Sequence, residues 1–271
     1  MKKCIIILVA LSIAAKTPAQ KNDSLEAVRT FVDVCGMYKK TPMHLELRFY
    51  SEANYITNEA DTLSAQGEFY IQPDRAYIRF GEMEQLVNDS VALLVSDQQQ
   101  RMILFTDARP VIAQMKSAMG ILGSDASYLN ISKKYSAVIK QQTVKTSVVA
   151  LQSRHTLYGT ALPKETIDIS YTPETKQPQK IVTVKRSLIP LEKADYDVYN
   201  QQAEMKQFLL AVEDKQWFLV KEVVSTFEYS SIDYDAALDV PVQLKDRVEK
   251  NAEGNYVPVK EYGGYGISKG N

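Results

Sequence analysis

Few residues in this sequence are suited to metal or redox chemistry. Its 271 residues include two cysteines, two histidines and one tryptophan. Neither C-x-x-C nor H-E-x-x-H occurs, so we expect no bound metal and no cofactor. Cys4 lies in the apolar N-terminal run, which leaves Cys35 without a partner for an intrachain disulfide. We interpret Cys35 as a small apolar residue on one side of a helix.

The sequence also lacks the signature of a serine nucleophile. No G-x-S-x-G motif is present, and the only histidines that could serve as a base are His44 and His155. His44 falls on the polar side of an alternating strand and His155 stands beside Arg154, positions that are typical of surface histidines. We therefore expect no catalytic residues and no enzymatic activity.

Neither an excess of one charge nor a long apolar run is present. The formal net charge is −1, and this balance gives no general attraction to nucleic acid or to anionic lipid. The apolar run from Cys4 to Ala15 is shorter than the roughly 20 residues that a membrane-spanning helix needs. No later stretch is both longer and uncharged, so we expect no transmembrane helix in the mature chain.

The first residues have the three parts of a cleavable secretory signal peptide. Lys2 and Lys3 give a positively charged start, and Cys4 to Ala15 form an apolar run. Thr17 to Ala19 then consist of small residues and a proline. We expect residues 1–19 to be removed after Ala19 and the mature protein to be periplasmic. Lipid attachment is not expected, because Cys4 stands at the start of the apolar run and not at the cleavage point.

Apolar spacing predicts two helices and a series of strands. Apolar positions recur at helical intervals over residues 23–39 and again from Pro110 to Leu122. From Leu45 the period changes to two, which indicates a half-buried strand over residues 44–50. Further strands are predicted at 67–72, 75–80, 85–88, 90–96, 101–105, 135–140, 145–152, 165–171, 180–186, 217–221 and 223–229.

The short turns between these strands predict an α+β domain that is mostly antiparallel sheet. Residues 172–179 contain two prolines and are expected to form a hairpin loop. Residues 195–212 fit either a helix or a long loop, and we leave both open. Beyond Asp239 the chain is rich in glycine and contains two prolines, so residues 239–271 are predicted to be an extended or partly disordered tail.

One stretch of the sequence resembles a known family. Residues 67–80 read as a glycine-led strand, a proline turn and a strand of alternating aromatics, and a hairpin that ends in Val95-Ser96-Asp97 follows. Over residues 23–110 this pattern is similar to the LolA-like and LolB-like periplasmic lipoprotein carriers. The resemblance implies that residues 20–238 form an incomplete β-barrel of about eleven strands, covered by helices around an apolar cavity that receives acyl chains.

The apolar residues of the first strands are the candidates for the lining of such a cavity, and the same residues would equally make an ordinary hydrophobic core. One position departs from the carriers. They commonly have an arginine before the turn proline, where this chain has Gln72, with Arg75 and Arg79 as the nearest cations. The predicted lining residues are Leu45, Leu47, Phe49, Phe69, Ile71, Ile78, Phe80, Val91, Leu93, Val95, Met102 and Leu104.

Two functional hypotheses follow. The first is a non-enzymatic periplasmic binding or carrier protein that holds a lipid, an acyl chain or a lipidated protein in its cavity. The second is a structural or interaction component of a cell-envelope assembly, with a filled core and with the tail after Asp239 as the surface for an envelope protein partner. The sequence does not distinguish between them.

Overall fold

The structure is a computed structural model that describes residues 17–109, 125–212, 216–235 and 239–270. The apolar run of the predicted signal peptide and the helix predicted from Pro110 to Leu122 lie outside these residues. Within them, no helix has the length and apolar character to cross a bilayer. Cleavage after Ala19 remains a prediction.

Helices cover a smaller part of the described chain than strands do. The predicted helix over 23–39 is confirmed as α1 and a 3-10 turn over Gly36–Lys39, although α1 begins earlier than expected. An additional helix, α2, immediately precedes a strand. Residues 195–212, which the sequence left open, fall in two short helices, α3 and α4, and one strand. The helices are α1 (Thr17–Cys35), α2 (Asp125–Lys134), α3 (Lys193–Asn200) and α4 (Ala203–Lys206), with 3-10 turns at Glu59–Thr62, Leu244–Asp246 and Lys260–Tyr262.

Strands are the main regular structure of the described chain, which confirms an α+β fold dominated by antiparallel sheet. In chain order they are β1 (Met43–Ala53), β2 (Ser64–Ile71), β3 (Ala76–Phe80), β4 (Met83–Val87), β5 (Ala92–Ser96), β6 (Arg101–Phe105), β7 (Tyr135–Gln142), β8 (Ser147–Ser153), β9 (Glu165–Tyr171), β10 (Pro178–Leu191), β11 (Leu209–Val212), β12 (Gln216–Asp233), β13 (Val248–Lys250), β14 (Tyr256–Pro258) and β15 (Gly266–Lys269).

Thirteen strands join in one sheet, in the order β15-β6-β5-β4-β3-β2-β1-β12-β10-β9-β8-β7, with β11 also paired to β12. The eleven-stranded half-barrel is therefore not confirmed in this exact form. In the described residues the sheet is open, with β15 and β7 at its edges. The two strands predicted over 217–229 are a single strand, β12. Glu222 does not interrupt it, because this carboxylate pairs with Arg186 opposite it on β10.

The two faces of the sheet differ in what covers them. Leu45, Phe227 and Val149 share one face by register, and α1 packs on its β7–β9 end; we call it the helix face. Ala27, Val28, Phe31 and Val34 are the buried side of α1 in this contact. Each such fully buried side chain larger than alanine stabilises the contact by roughly 1.5–3 kcal/mol.

The opposite face, which carries Tyr77, Leu86, Leu93 and Leu104, is covered over β3–β6 by residues 239–270; we call it the tail face. The sequence predicts an extended or partly disordered tail here, and the structure differs. The segment forms the β13–β14 hairpin and then β15, which pairs in parallel with β6.

A buried ion pair joins this C-terminal segment to the sheet. Arg247 donates from Nε to Oε2 of Glu84 at 2.8 Å and from Nη2 to Oε1 at 3.1 Å, and the Tyr77 hydroxyl donates to the same carboxylate at 3.0 Å. Burial acts to raise the pKa of Glu84, but the hydrogen bonds and charge of Arg247 outweigh it, so the net pKa is lowered. The carboxylate therefore stays ionised and holds the segment in place.

Candidate functional site

The helix face over β12, β1, β2 and β3 carries a cluster of partly buried aromatic rings. Phe49, Phe69, Phe80 and Phe227 all pack against the buried core residues of this region, yet none of them is fully enclosed. We call these four residues the phenylalanine cluster. Large apolar rings that remain partly exposed in the interior of a sheet leave apolar surface available to a ligand.

Phe49 is central to this cluster because its ring contacts two of the others. Its centroid lies 4.8 Å from that of Phe227 and 5.9 Å from that of Phe80, both in tilted arrangements. Gly67 lies beneath the rings. A Cβ at this position would be 2.7 Å from Phe69 Cε2 and 3.0 Å from Phe80 Cδ2. The absence of a side chain at Gly67 lets the rings lie directly on the backbone.

On this face, the described residues of β1, β2 and β3 around the cluster are uncharged. β1 contributes Met43, Leu45, Leu47 and Ser51 beside Phe49, and the facing residues of β2 and β3 are also apolar or small. The same strands place their charged residues on the tail face, where Glu46, Glu68 and Arg79 lie in one row. The alternation of β1 thus separates an apolar surface from a charged one.

A buried polar pair lies beyond Phe227 on the same face of β12. The Lys221 ammonium donates to Asp61 Oδ2 at 2.6 Å and also to the Thr57 hydroxyl. The hydrogen bond from Lys221, followed by that from the Thr57 amide, holds the pKa of Asp61 well below its usual range. Because the lysine is paired, it does not present a free charge to the phenylalanine cluster.

The predicted lining residues do not all share one face. Seven of them lie on the helix face: Leu45, Leu47, Phe49, Phe69, Ile71, Ile78 and Phe80. The other five lie on the tail face, are 0–7% exposed, and pack with residues 239–270: Val91, Leu93, Val95, Met102 and Leu104. Their assignment to the same surface as Phe69 was wrong by one step of alternation, since β5 and β6 are apolar on both sides.

Gln72 lies in the β2–β3 turn and is engaged there. Its backbone N–H donates to the backbone carbonyl of Arg75 at 2.8 Å, and its side-chain Oε1 accepts a hydrogen bond from Arg75 Nε at 3.0 Å. Arg75 also pairs with Asp239 of the C-terminal segment at 3.2 Å. Arg79 is on the tail face. Arg75 is therefore held at the turn, and Arg79 lies on the face opposite the phenylalanine cluster.

Two further features were not predicted from the sequence. A half-open pocket of about 640 Å³ lies at the β7 edge beside α1, with Leu25, Ala137 and Leu151 among its lining residues. On the tail face, His44, Glu46 and Glu68 each place one possible ligand atom within 4.8 Å of the other two, an arrangement that could hold a metal ion. The sequence interpretation of His44 as a solvated surface residue was wrong, since its side chain is 14% exposed.

Comparisons with known proteins give only distant similarities. No protein-family model and no curated protein matches the chain. Among solved structures it is similar to a DUF1329 family protein from Desulfovibrio piger (TM-score 0.26, 10% identity, covering 80% of this chain and 95% of that chain). It is also similar to a LolA superfamily protein from Nitrosomonas europaea (TM-score 0.25, 8% identity, 81% and 95%). A third is an outer membrane lipoprotein-sorting protein domain from Vibrio parahaemolyticus (0.25, 8%, 78% and 95%).

Proposed function

We propose that this chain is a non-enzymatic, exported binding protein that holds a lipid, an acyl chain or a lipidated protein on the helix face, over the phenylalanine cluster. One observation carries the proposal. Phe49, Phe69, Phe80 and Phe227 remain partly exposed on an uncharged surface in the interior of the sheet. An apolar ligand would remove this surface from water.

The chemistry of the surface suits an alkyl chain better than a polar ligand. Burial of each CH₂ group stabilises a complex by about 0.8 kcal/mol, so an acyl chain gains affinity from length and needs no specific polar partner. The nearby charge pair between Lys221 and Asp61 is already satisfied within the protein. Among the residues that the structure describes, this surface therefore offers contact to the chain of a lipid and no free cation to its headgroup.

Binding is tested with a fluorescent dansyl-labelled undecanoic acid added to the purified, delipidated protein. We expect saturable binding with an increase in dansyl fluorescence. Replacement of Phe227 by asparagine should weaken this binding about tenfold or more, because the loss of one aromatic contact of about 1.5–3 kcal/mol corresponds to at least that factor. Native mass spectrometry of protein isolated from the cell envelope should show co-purified lipid.

The matched control is Phe218→Asn on the same strand. Phe218 is also partly buried, but it lies on the opposite face of β12, in register with Leu210 and Pro190. The control should bind the probe like the unaltered protein. Equal loss of binding in both variants, or no binding by the folded unaltered protein, would contradict the proposal.

The alternative function, an envelope assembly component with a partner on its tail, has less support. The apolar residues of residues 239–270 are used within the chain: Val240 and Val248 are buried with Leu93, and Ile267 lies beside Met102 in the β15–β6 pair. Capture of an envelope protein by the unaltered chain, with no lipid in native mass spectra, would favour this alternative.

A further inference from the structure

Three potential metal ligands converge on the tail face, opposite the phenylalanine cluster. His44 and Glu46 are two residues apart on β1 and so point to the same side, and Glu68 of β2 lies directly opposite Glu46. The Nε2 atom of His44 is 3.7 Å from Glu46 Oε1 and 3.7 Å from Glu68 Oε1. One imidazole and two carboxylates thus face a common point.

The His44 imidazole is held in place, and its Nε2 atom lacks a hydrogen-bond partner. Its ring stacks on Tyr70, with centroids 4.1 Å apart and planes at 18°. Within the described part of the chain, its buried Nε2 has no hydrogen-bond partner. A separation of 3.7 Å is too long for a hydrogen bond to either carboxylate. Because buried polar atoms nearly always have a hydrogen-bond partner or a ligand, we expect this nitrogen to bind one.

The negative charges of Glu46 and Glu68 also favour a bound cation. Like charges directly opposite each other on neighbouring strands are unfavourable, and Glu46 and Glu68 form such a pair. Among the described residues their only ion-pair partner within 4.0 Å is His44. Arg79 lies opposite Glu68 on β3, but it also lies opposite Glu84 on β4 and acts to lower the pKa of that carboxylate.

We propose that His44, Glu46 and Glu68 form a binding site for a divalent transition-metal ion of the Zn²⁺ type. Zinc bonds of about 2.0–2.2 Å in a tetrahedron place neighbouring ligand atoms about 3.4 Å apart, close to the 3.7 Å measured here. The glutamate side chains are 47% and 38% exposed, so they can close this difference. Their exposure also leaves the fourth position open to water.

The ligand set selects among cations. An imidazole nitrogen favours Zn²⁺, Ni²⁺ and Cu²⁺, whereas Mg²⁺ and Ca²⁺ prefer sites made of oxygen alone. The two carboxylates line a shallow groove of about 980 Å³ that reaches Arg48 and Arg79, so the site is accessible from solvent. Because Leu45, between the two β1 ligands, points to the helix face, metal binding here is separate from the proposed apolar site.

The test is isothermal titration of ZnCl₂ into untagged, EDTA-treated and dialysed protein, since a polyhistidine tag would itself bind zinc. We expect one site per chain and little heat with MgCl₂. His44→Gln and Glu68→Gln should each weaken Zn²⁺ binding by about tenfold or more, because loss of a direct ligand costs at least as much as loss of an outer-shell partner. Glu68 is partly exposed, so the second variant remains informative if the first is unstable.

The control is His155→Gln, which removes the other histidine from an exposed position. This variant should retain the affinity of the unaltered protein. Absence of Zn²⁺ binding by the folded unaltered protein would overturn the proposal, as would undiminished binding by folded Glu68→Gln. Loss of binding in His155→Gln would place the site elsewhere.

Discussion

Truncation of Leu93 tests whether residues 239–270 truly cover the tail face. Leu93 is 0% exposed and lies between Leu86 and Leu104 in the β4–β5–β6 register. Leu93→Ala removes three carbon groups, each contributing about 0.8 kcal/mol, and leaves a cavity in addition. We expect the free energy of unfolding to fall by about 3–5 kcal/mol, which corresponds to a decrease of roughly 6–20 °C in the melting temperature for a domain of this size.

The assay is urea denaturation followed by far-ultraviolet circular dichroism, with thermal denaturation as a second measurement. Leu129→Ala is the control, because it is the same substitution on α2 at a position that is 55% exposed. Alanine is the better helix former, so the control should change stability by no more than about 0.5 kcal/mol. A loss below about 1 kcal/mol for Leu93→Ala would show that the side chain is not enclosed, and would refute the packing of the C-terminal segment on this face.

Three further predictions concern other parts of the molecule. Arg247→Leu leaves the buried Glu84 carboxylate unpaired, so hydrogen–deuterium exchange should become faster in residues 244–269 and stay unchanged in β7–β9. The pKa of Asp61 is lowered in the folded state, first by its hydrogen bond from Lys221. Its stabilising contribution is therefore complete above the unfolded pKa of about 3.9 and is lost as the pH falls further. The stability advantage over Asp61→Asn in urea titrations should therefore shrink as the pH falls from about 4 towards 2. Gly67→Ala should destabilise the fold by about 1–3 kcal/mol, because its Cβ would overlap the ring of Phe69.

Each of these predictions has a result that would contradict it. Uniform acceleration of exchange over the whole sheet would show that Arg247 supports the fold in general. An acid dependence identical in Asp61→Asn and the unaltered protein would mean that this carboxylate is not selectively stabilised. For Gly67 the control is Gly264→Ala, where the added Cβ has nothing within 4 Å; equal effects of the two substitutions would rule out steric overlap as the cause.

Much of the fold follows from local pattern. The strand from Leu45 and the hairpins around Pro73 and Asp97 were predicted because one alternating set of side chains is apolar and the turns are short. In the C-terminal segment the prediction was wrong for a physical reason. Its contacts with the sheet come from scattered aliphatic residues, such as Val240 and Val248, together with the tyrosines Tyr256, Tyr262 and Tyr265, and not from a periodic pattern. Tyrosine combines an apolar ring with a polar end, so composition alone did not indicate burial.

The two sides of β5 and β6 could not be assigned from the sequence. In β5, Ala92 and Leu94 form one alternating set and Leu93 and Val95 the other, and both sets are apolar. Only the cover provided by residues 239–270, more than a hundred positions along the chain, makes the second set a core of its own. Where a strand is buried on both faces, the apolar pattern predicts that a strand is present but not which set of side chains lies on which face of the sheet.

The same limit explains why the candidate metal ligands were missed, although seven of the twelve predicted lining residues do share the helix face. An apolar face can be recognised from the alternation within a single strand, as with Leu45 and Leu47 in β1. The meeting of His44 and Glu46 with Glu68 depends instead on the exact β1–β2 register, which places Glu68 opposite Glu46. A shift of one residue would turn Glu68 to the helix face and end both the charge pair and the apolar surface there. The register that keeps the phenylalanine cluster uncharged is therefore also the register that assembles the three ligands on the other side.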